Sequence, residues 1–299
     1  MSQQLSIFDS EVPLPSETID RRAQTLLGFD GRYARIHAQL RLLLQTGDLA
    51  RWNQRFHNGR LALADLAAEQ YPLVIFHGDV GTGKTAMAES MASRIVRDSR
   101  TEDSILFKLS NRVRGKGLVG EMGSLLAEAF ARVGQAAGKH RRAILIIDEG
   151  DSLGASRAQD HSHHEDKVAV NTLIQGIDDL RQYGGRVIVF FCTNRLSILD
   201  PAIRRRASIV EEFRRPSDTE RRELFATDLA GLSLSPGHID KLVHATGPKE
   251  GGPGWTYSDI RMRLYPAALA QVFPDSALTF DQLLSEAVRL RPSPAMIDA

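Results

Sequence analysis

Cysteine is almost absent from this chain, with Cys192 standing alone among 299 residues. A single cysteine excludes an intrachain disulfide, so the sequence favours a reducing compartment, the cytoplasm. Cys192 lies within the apolar run VIVFFC. We therefore expect a small buried side chain there and not a reactive thiol.

Long apolar runs are missing as well. No segment approaches the roughly 20 apolar residues that a membrane-spanning helix needs. The N-terminal stretch MSQQLSIFDSEVPLP has neither the basic nor the apolar region of a secretory signal. An excess of charge is also missing, since the formal net charge is +1. Nothing in the overall balance indicates a membrane or a nucleic-acid partner.

The first 70 residues show no strand pattern. Residues 1–20 are polar and contain two prolines, which predicts a disordered tail. Apolar residues then recur at helical spacing over 31–46, which predicts an amphipathic helix. A second short helix is predicted near 61–69. Region 1–70 is therefore interpreted as a tail followed by short helices.

Alternation of short β-branched runs with helical segments dominates residues 71–216. The predicted strands are LVIF, ILFKL, AILII, VIVFFC and IVEEF. Strands that alternate with helices predict an α/β domain with a five-stranded parallel sheet flanked by helices. Beyond Pro216 the strands stop, and capping boxes at Ser217 and Thr279 open helices. Residues 217–299 are thus predicted to form a small helical lid domain.

A glycine-rich loop, GDVGTGKT, runs from Gly78 to Thr85 and matches G-x-x-x-x-G-K-[ST]. It follows an apolar strand and precedes a helix, the context in which backbone N–H groups cradle phosphates. Lys84 is predicted to reach the β- and γ-phosphates, and the Thr85 hydroxyl to bind Mg²⁺. The residues expected to contact ATP here are Asp79, Val80, Gly81, Thr82, Gly83, Lys84, Thr85 and Ala86.

Two acids end the run AILIIDE about sixty residues later. This is the Walker B arrangement, in which Asp148 holds Mg²⁺ and Glu149 polarises the attacking water. A further strand ends at Thr193-Asn194. An asparagine at that position is predicted to lie beside the γ-phosphate and orient the water.

Arginines supply the remaining candidate groups. Arg204, Arg205 and Arg206 are adjacent, and three interpretations fit them: a solvated face, phosphate contacts, or an arginine finger that reaches a neighbouring subunit's ATP. The finger is favoured, with Arg206 ahead of Arg205. Arg261 follows the start of a helix in the lid and is predicted to point at the phosphates.

Together these motifs resemble the AAA+ ATPases over about residues 70–280. The segments AILIIDEGDSLGASR, VAVNTLIQGIDDL and VIVFFCTNRLSILDPAIRRRASI resemble the pachytene-checkpoint subfamily, especially its short prokaryotic members. That resemblance implies a hexameric ring that unfolds part of a HORMA-domain protein, using ATP and Mg²⁺. The resemblance also implies that the chain is encoded in an anti-phage operon together with a cyclic-oligonucleotide synthase. Members of the family act as the off-switch in such operons.

The chain departs from that family at the pore position. The segment KGLVGE lacks the aromatic residue of many AAA+ unfoldases, so Leu118 and Val119 are the predicted contacts with a threaded substrate. A second polar segment, RAQDHSHHED, is interpreted as another pore-facing loop, since its histidines fit no structural zinc spacing.

Two rival functions share the nucleotide motifs. A helicase loader or transposition ATPase acting on nucleic acid is the first, and the near-neutral charge argues against it. A regulatory protein that binds ATP and barely hydrolyses it is the second, and Glu149 with Asn194 argues against that.

Overall fold

The computed structural model describes residues 7–99, 103–114, 121–155, 164–249 and 251–296. The chain forms two compact units, each containing a discontinuous stretch of sequence. The first, called the sheet unit, comprises Met1–His77 and Thr85–Glu212. The second, called the lid unit, comprises Gly78–Lys84 and Phe213–Ala299. Most of the glycine-rich loop therefore groups with the C-terminal helices.

A six-stranded sheet, in the order β1-β3-β4-β5-β2-β6, forms the centre of the fold. Its strands are β1 Phe8–Leu14, β2 Leu73–Gly78, β3 Ser104–Leu109, β4 Ala143–Ile147, β5 Val187–Thr193 and β6 Ala207–Phe213. Strands β3, β4, β5 and β2 pair in parallel. Every residue of β4 and β5 is buried, as their continuous apolar runs require when helices cover both faces of a sheet. The predicted α/β class and its five strands are confirmed.

The sixth strand corrects the prediction of a disordered tail over residues 1–20. Strand β1 pairs antiparallel with β3 at the sheet edge, and a helix follows it. Ile7 and Phe8 join the hydrophobic core, and the rings of Phe8 and Phe107 lie 4.7 Å apart. Exposed side chains alternate with less exposed ones along β1, so the segment resembles a polar tail in sequence. The strand is nevertheless bonded to β3.

The sheet unit also contains α-helices. They are α1 Glu17–Ala23, α2 Phe29–Leu44, α3 Thr46–His57, α4 Ala62–Ala68, α5 Lys84–Asp98, α6 Glu121–Ala137, α7 His164–Leu180 and α8 Pro201–Arg204. The first residue of α5, Lys84, groups with the lid unit. The helix predicted over 31–46 corresponds to α2 and the one near 61–69 to α4, whereas α3 was not predicted. None of the helices in the described ranges is long and apolar enough to cross a membrane.

The lid unit is helical after Phe213. Its helices are α9 Asp218–Asp228, α10 Pro236–Ala245, α11 Tyr257–Asp259, α12 Tyr265–Ala270 and α13 Phe280–Arg289, with a π-helical turn at Ile260–Leu264 between α11 and α12. The capping boxes predicted at Ser217 and Thr279 are both present. A third, at Thr256, begins α11.

Candidate nucleotide-binding site

The glycine-rich loop connects the end of β2 to the start of α5. Gly81 and Gly83 adopt φ values of +75° and +93°, which side chains with a Cβ rarely adopt. The buried Lys84 ammonium donates to the carbonyls of Gly78 and Asp79, both at 2.8 Å. A phosphate oxygen is a stronger acceptor for a cation than a neutral carbonyl. Lys84 is therefore held within the loop by bonds that it can exchange for bonds to a phosphate.

Gly81 lies directly against the start of α11. The Ser258 amide donates to the Gly81 carbonyl at 3.1 Å. A Cβ on Gly81 would come within 2.7 Å of the Ser258 side chain and 2.8 Å of the Thr256 hydroxyl. The capping box at Thr256 thus fixes the helix end that packs on the loop.

The remaining loop residues that were predicted to contact ATP form hydrogen bonds within the loop or are exposed. The Thr82 hydroxyl donates to the Asp79 carbonyl at 2.7 Å, and the Val80 amide donates to the Asp79 carboxylate at 2.9 Å. The Val80 side chain is exposed. Ala86 lies in the first turn of α5.

Thr85 and Asp148 meet at the end of β4. The Thr85 hydroxyl donates to Asp148 Oδ2 at 2.9 Å. Lys108 Nζ lies 3.8 Å from the same oxygen. Hydroxyl and carboxylate oxygens are the ligands that Mg²⁺ prefers. The two residues that the sequence nominated for the metal are therefore adjacent, with oxygen donors of the appropriate kind.

Glu149 occupies a strained backbone position. Its φ is +49°, in the left-handed region that residues other than glycine rarely adopt. The Asp148 carboxylate accepts the Glu149 amide at 3.0 Å, and Asn111 Nδ2 donates to Glu149 Oε2 at 3.4 Å. Backbone strain of this kind collects at functional sites because the surrounding structure imposes it. The surrounding structure therefore holds the Glu149 backbone in this conformation.

Asn194 is held by Asp151, a residue that no sequence motif indicated. Asn194 donates to Asp151 through its backbone amide, at 3.1 Å, and through Nδ2, at 3.2 Å. The Arg195 amide and the Thr193 hydroxyl donate to the same carboxylate. Four donors at the tip of β5 therefore converge on one acid. The sequence feature that could have identified Asp151 is its position three residues after Asp148.

Arg206 forms a two-pronged ion pair within its own chain. Its Nε and Nη2 donate to the two oxygens of Asp178 at 2.5 and 2.8 Å. The guanidinium also lies 5.3 Å from the centre of the Tyr71 ring. The hydrogen bond with Asp178 raises the pKa of Arg206 above its ordinary value. Arg204 and Arg205, in contrast, are exposed.

Arg261 is likewise paired, in this case within the lid unit. Its Nε and Nη2 donate to the Asp228 carboxylate, both at 2.7 Å. This hydrogen bonding raises the pKa of Arg261 although partial burial opposes it. Asp228 is the last residue of helix α9, and no sequence motif indicated this pair.

The predicted pore residues, Leu118 and Val119, lie outside the described residues. Most of the polar segment RAQDHSHHED does too, and α7 begins at His164. Among the residues that the structure describes, no group of three or more His, Cys, Asp or Glu side chains is arranged to hold a metal ion.

Comparison with known proteins identifies the family of this chain. Residues 74–215 match the model of the ATPase family associated with various cellular activities (AAA). CD-NTase-associated protein 6 from Escherichia coli (strain KTE188) is 64% identical over 293 residues, which cover 98% of each chain.

Two solved structures extend the comparison. A chain of the E. coli MS115-1 HORMA:CdnC:Trip13 complex matches with a TM-score of 0.89 and 36% identity, covering 97% of both chains. Rhizobiales Trip13 matches with a TM-score of 0.73 and 30% identity, covering 96% of this chain and 99% of that one. The chain therefore belongs to the AAA family of ATPases, in the group that includes CD-NTase-associated protein 6 and these Trip13 proteins.

Proposed function

We propose that the chain hydrolyses ATP to ADP and phosphate in a Mg²⁺-dependent reaction. The observation that carries this proposal is the cluster at the strand ends: Thr85 bonded to Asp148, with the strained Glu149 next in the chain. Phosphoryl transfer depends on positioning and charge stabilisation more than on covalent chemistry. The cluster supplies fixed groups of that kind.

Each residue has a distinct role in the proposed reaction. Thr85 and Asp148 would hold Mg²⁺, which when bound would neutralise charge on the phosphates. Glu149 accepts a hydrogen bond from the attacking water and polarises it, and Asn194 orients that water beside the γ-phosphate. Lys84 leaves its carbonyl partners to bind the phosphate oxygens.

The arginines complete the proposed reaction. Arg261 would bind phosphate from the lid side once its ion pair with Asp228 opens. A finger from the Arg204–Arg206 segment would act on the ATP of a neighbouring subunit, which requires an oligomer. Arg205 is exposed and ready for this role, whereas Arg206 must first leave Asp178.

The proposed biological activity is remodelling of a HORMA-domain protein. It is supported by the likeness to a chain of the HORMA:CdnC:Trip13 complex along 97% of both chains. In this proposal six subunits form a ring, Leu118 and Val119 contact the threaded segment, and unfolding it separates the partner from a cyclic-oligonucleotide synthase. Anti-phage signalling by that synthase would then stop.

A substrate trap tests the proposal. Glu149→Gln removes the group that polarises water and retains the residues proposed to bind ATP, so the ring should hold its substrate. Lys84→Ala should not bind ATP and is the matched control. Both variants would be purified with ATP from the native host, and the proteins that accompany them identified by mass spectrometry.

We expect a HORMA-domain protein with Glu149→Gln and none with Lys84→Ala. Recovery of DNA or replication proteins with the trap would instead favour a nucleic-acid machine. Equal recovery of the HORMA protein with both variants would contradict ATP-dependent binding of that protein. In a reconstituted assay, Leu118→Asp should retain basal ATP hydrolysis and lose the unfolding activity.

A further inference from the structure

The glycine-rich loop contains a carboxylate that an anion-binding loop does not obviously need. Asp79 is the second residue of GDVGTGKT, and its side chain is 13% exposed. An uncompensated negative charge in this loop would repel the phosphates that the loop is proposed to bind. Its neutralisation is therefore a requirement of the site.

Arg215, in the segment after β6, provides that neutralisation. Its Nε donates to Asp79 Oδ2 at 2.6 Å, and its own side chain is also 13% exposed. The other guanidinium nitrogens donate to three carbonyls: Gly254 at 2.5 Å, and Ser293 and Pro294 at 3.0 Å each. One arginine thus joins the loop to the segment before α11 and to the chain that follows α13.

The chain that follows α13, residues 290–296, is here called the C-terminal strap. Its Met296 amide donates to Asp79 Oδ1 at 3.1 Å. Its Ser293 donates to the buried Asp259 through the hydroxyl, at 2.6 Å, and through the amide. Burial alone would raise the pKa of Asp259, but the hydrogen bonds from Ser293, Thr256 and Arg263 lower it below its ordinary value. The strap is therefore anchored to two acids.

The two anchors lie on the two elements that meet at Gly81. Asp79 belongs to the loop, and Asp259 belongs to the capping box that begins α11. The Ser258 amide bonds to the Gly81 carbonyl between them. Strap, loop and helix start consequently form one hydrogen-bonded assembly within the lid unit.

We propose that Arg215 and the C-terminal strap are positioning elements of the phosphate site, which neutralise Asp79 and hold the loop in the conformation that receives ATP. The inference rests on the proposed ATP-binding function and adds residues far along the chain to that site. Neither Arg215 nor the strap contacts phosphate in this proposal. Both act through Asp79.

Charge is the property to test first, with a double-mutant cycle. Arg215→Gln leaves Asp79 without its cation, and we expect the Kd for Mg·ATP to rise about five- to tenfold, the size of one uncompensated charge near the phosphates. Asp79→Asn removes the negative charge itself and keeps an acceptor for the Met296 amide, so it is the second single variant of the cycle. The double variant should recover most of the loss. Titration calorimetry measures all four proteins.

The strap is tested by a substitution that removes a single donor. Met296→Pro deletes the amide that bonds to Asp79, whereas Met296→Ala retains it and changes only an exposed side chain. We expect the Kd to rise about threefold for the proline variant, because only part of the free energy of this hydrogen bond to a charged group is expressed in ATP binding. The alanine variant should bind like the unaltered protein.

The results separate this inference from the proposed function. Failure of the unaltered protein to bind ATP would overturn both. If the unaltered protein binds ATP and the double variant is as weak as Arg215→Gln alone, the role of Arg215 is purely structural and the inference is wrong. Equal binding by the Met296 proline and alanine variants would overturn the role of the strap, even if Arg215→Gln did not fold.

Discussion

Asp151 shows how one side chain can set the position of a catalytic candidate without being one itself. Its carboxylate accepts the backbone amides of Asn194 and Arg195 and the Asn194 side chain. Hydrogen bonds to a charged acceptor contribute about 1.5–3 kcal/mol each. Removing the acid should therefore release the Asn194 amide group from its present orientation.

We predict that Asp151→Ala lowers the ATP turnover number by at least about tenfold, because a loss of about 1.4 kcal/mol in transition-state stabilisation has that effect. The Kd for ATP should change little, since Asp151 bonds to the water-orienting residue and not to the loop. Asp179→Ala, on the exposed face of α7, is the matched control. A parallel loss of binding and turnover would show that Asp151 supports the fold and not the reaction.

The residues of the loop and of the β4 end were predictable because their spacing is local. GDVGTGKT and IIDE each lie within one short segment, and each follows an apolar strand. Their partners were not predictable, because Asp151 and Asn194 are 43 positions apart, and Asp79 and Arg215 are 136 apart. Such pairs depend on the three-dimensional arrangement, which periodicity does not encode.

Strand β1 was missed for a different reason. Its seven residues, FDSEVPL, have buried side chains only at the two ends, so the central charges and Pro13 resemble those of a tail. The strand is stable because β3 supplies its hydrogen bonds. An edge strand tolerates proline and acidic residues on its open side. Composition alone therefore underestimates order at a sheet edge.

Phe8→Ala tests whether β1 belongs to the core. Truncation of a buried phenylalanine costs about 3–5 kcal/mol, so the free energy of unfolding in urea should fall by about 3 kcal/mol. Asp9→Ala changes the exposed neighbouring residue and should have little effect. Equal stabilities for the two variants would mean that the strand contributes little to the sheet in solution.

Helices α2 and α3 differ in how far their apolar residues are buried. The buried stripe of α2 includes Tyr33, Ile36 and Leu40, which made that helix predictable. In α3 the one residue that counts as buried is Asn53, while Trp52 and Phe56 are exposed. Leu49, Trp52 and Phe56 do recur at helical spacing in α3, so a helical pattern was present there although the helix was not predicted.

The ion pairs of Arg206 and Arg261 bear on how the molecule works as an assembly. Both of these arginines are bonded to an acid of their own unit. A residue that must act across a subunit boundary has to exchange that acid for phosphate. The proposed ring can therefore be tested by asking which subunit supplies the arginine.

Mixing inactive variants answers that question. A Lys84→Ala subunit cannot use its own site but retains its finger, whereas a subunit that lacks the finger retains a complete site. Each variant alone should be inactive. In a mixed ring a finger-deficient subunit can accept the arginine of a Lys84→Ala neighbour, so equal mixing should restore roughly a quarter of the normal rate per subunit if subunits assort at random in a closed ring.

The experiment would be run with Arg205→Ala and Arg206→Ala separately, each mixed with Lys84→Ala. Lys84→Ala mixed with Glu149→Gln is the control, because both have fingers and neither has a working site. Rescue with only one arginine variant identifies that residue as the finger. Because Arg206 also pairs with Asp178, its substitution should lower stability as well, by about 1 kcal/mol. Absence of rescue with both variants, in rings that do form, would mean that no residue of this pair acts between subunits.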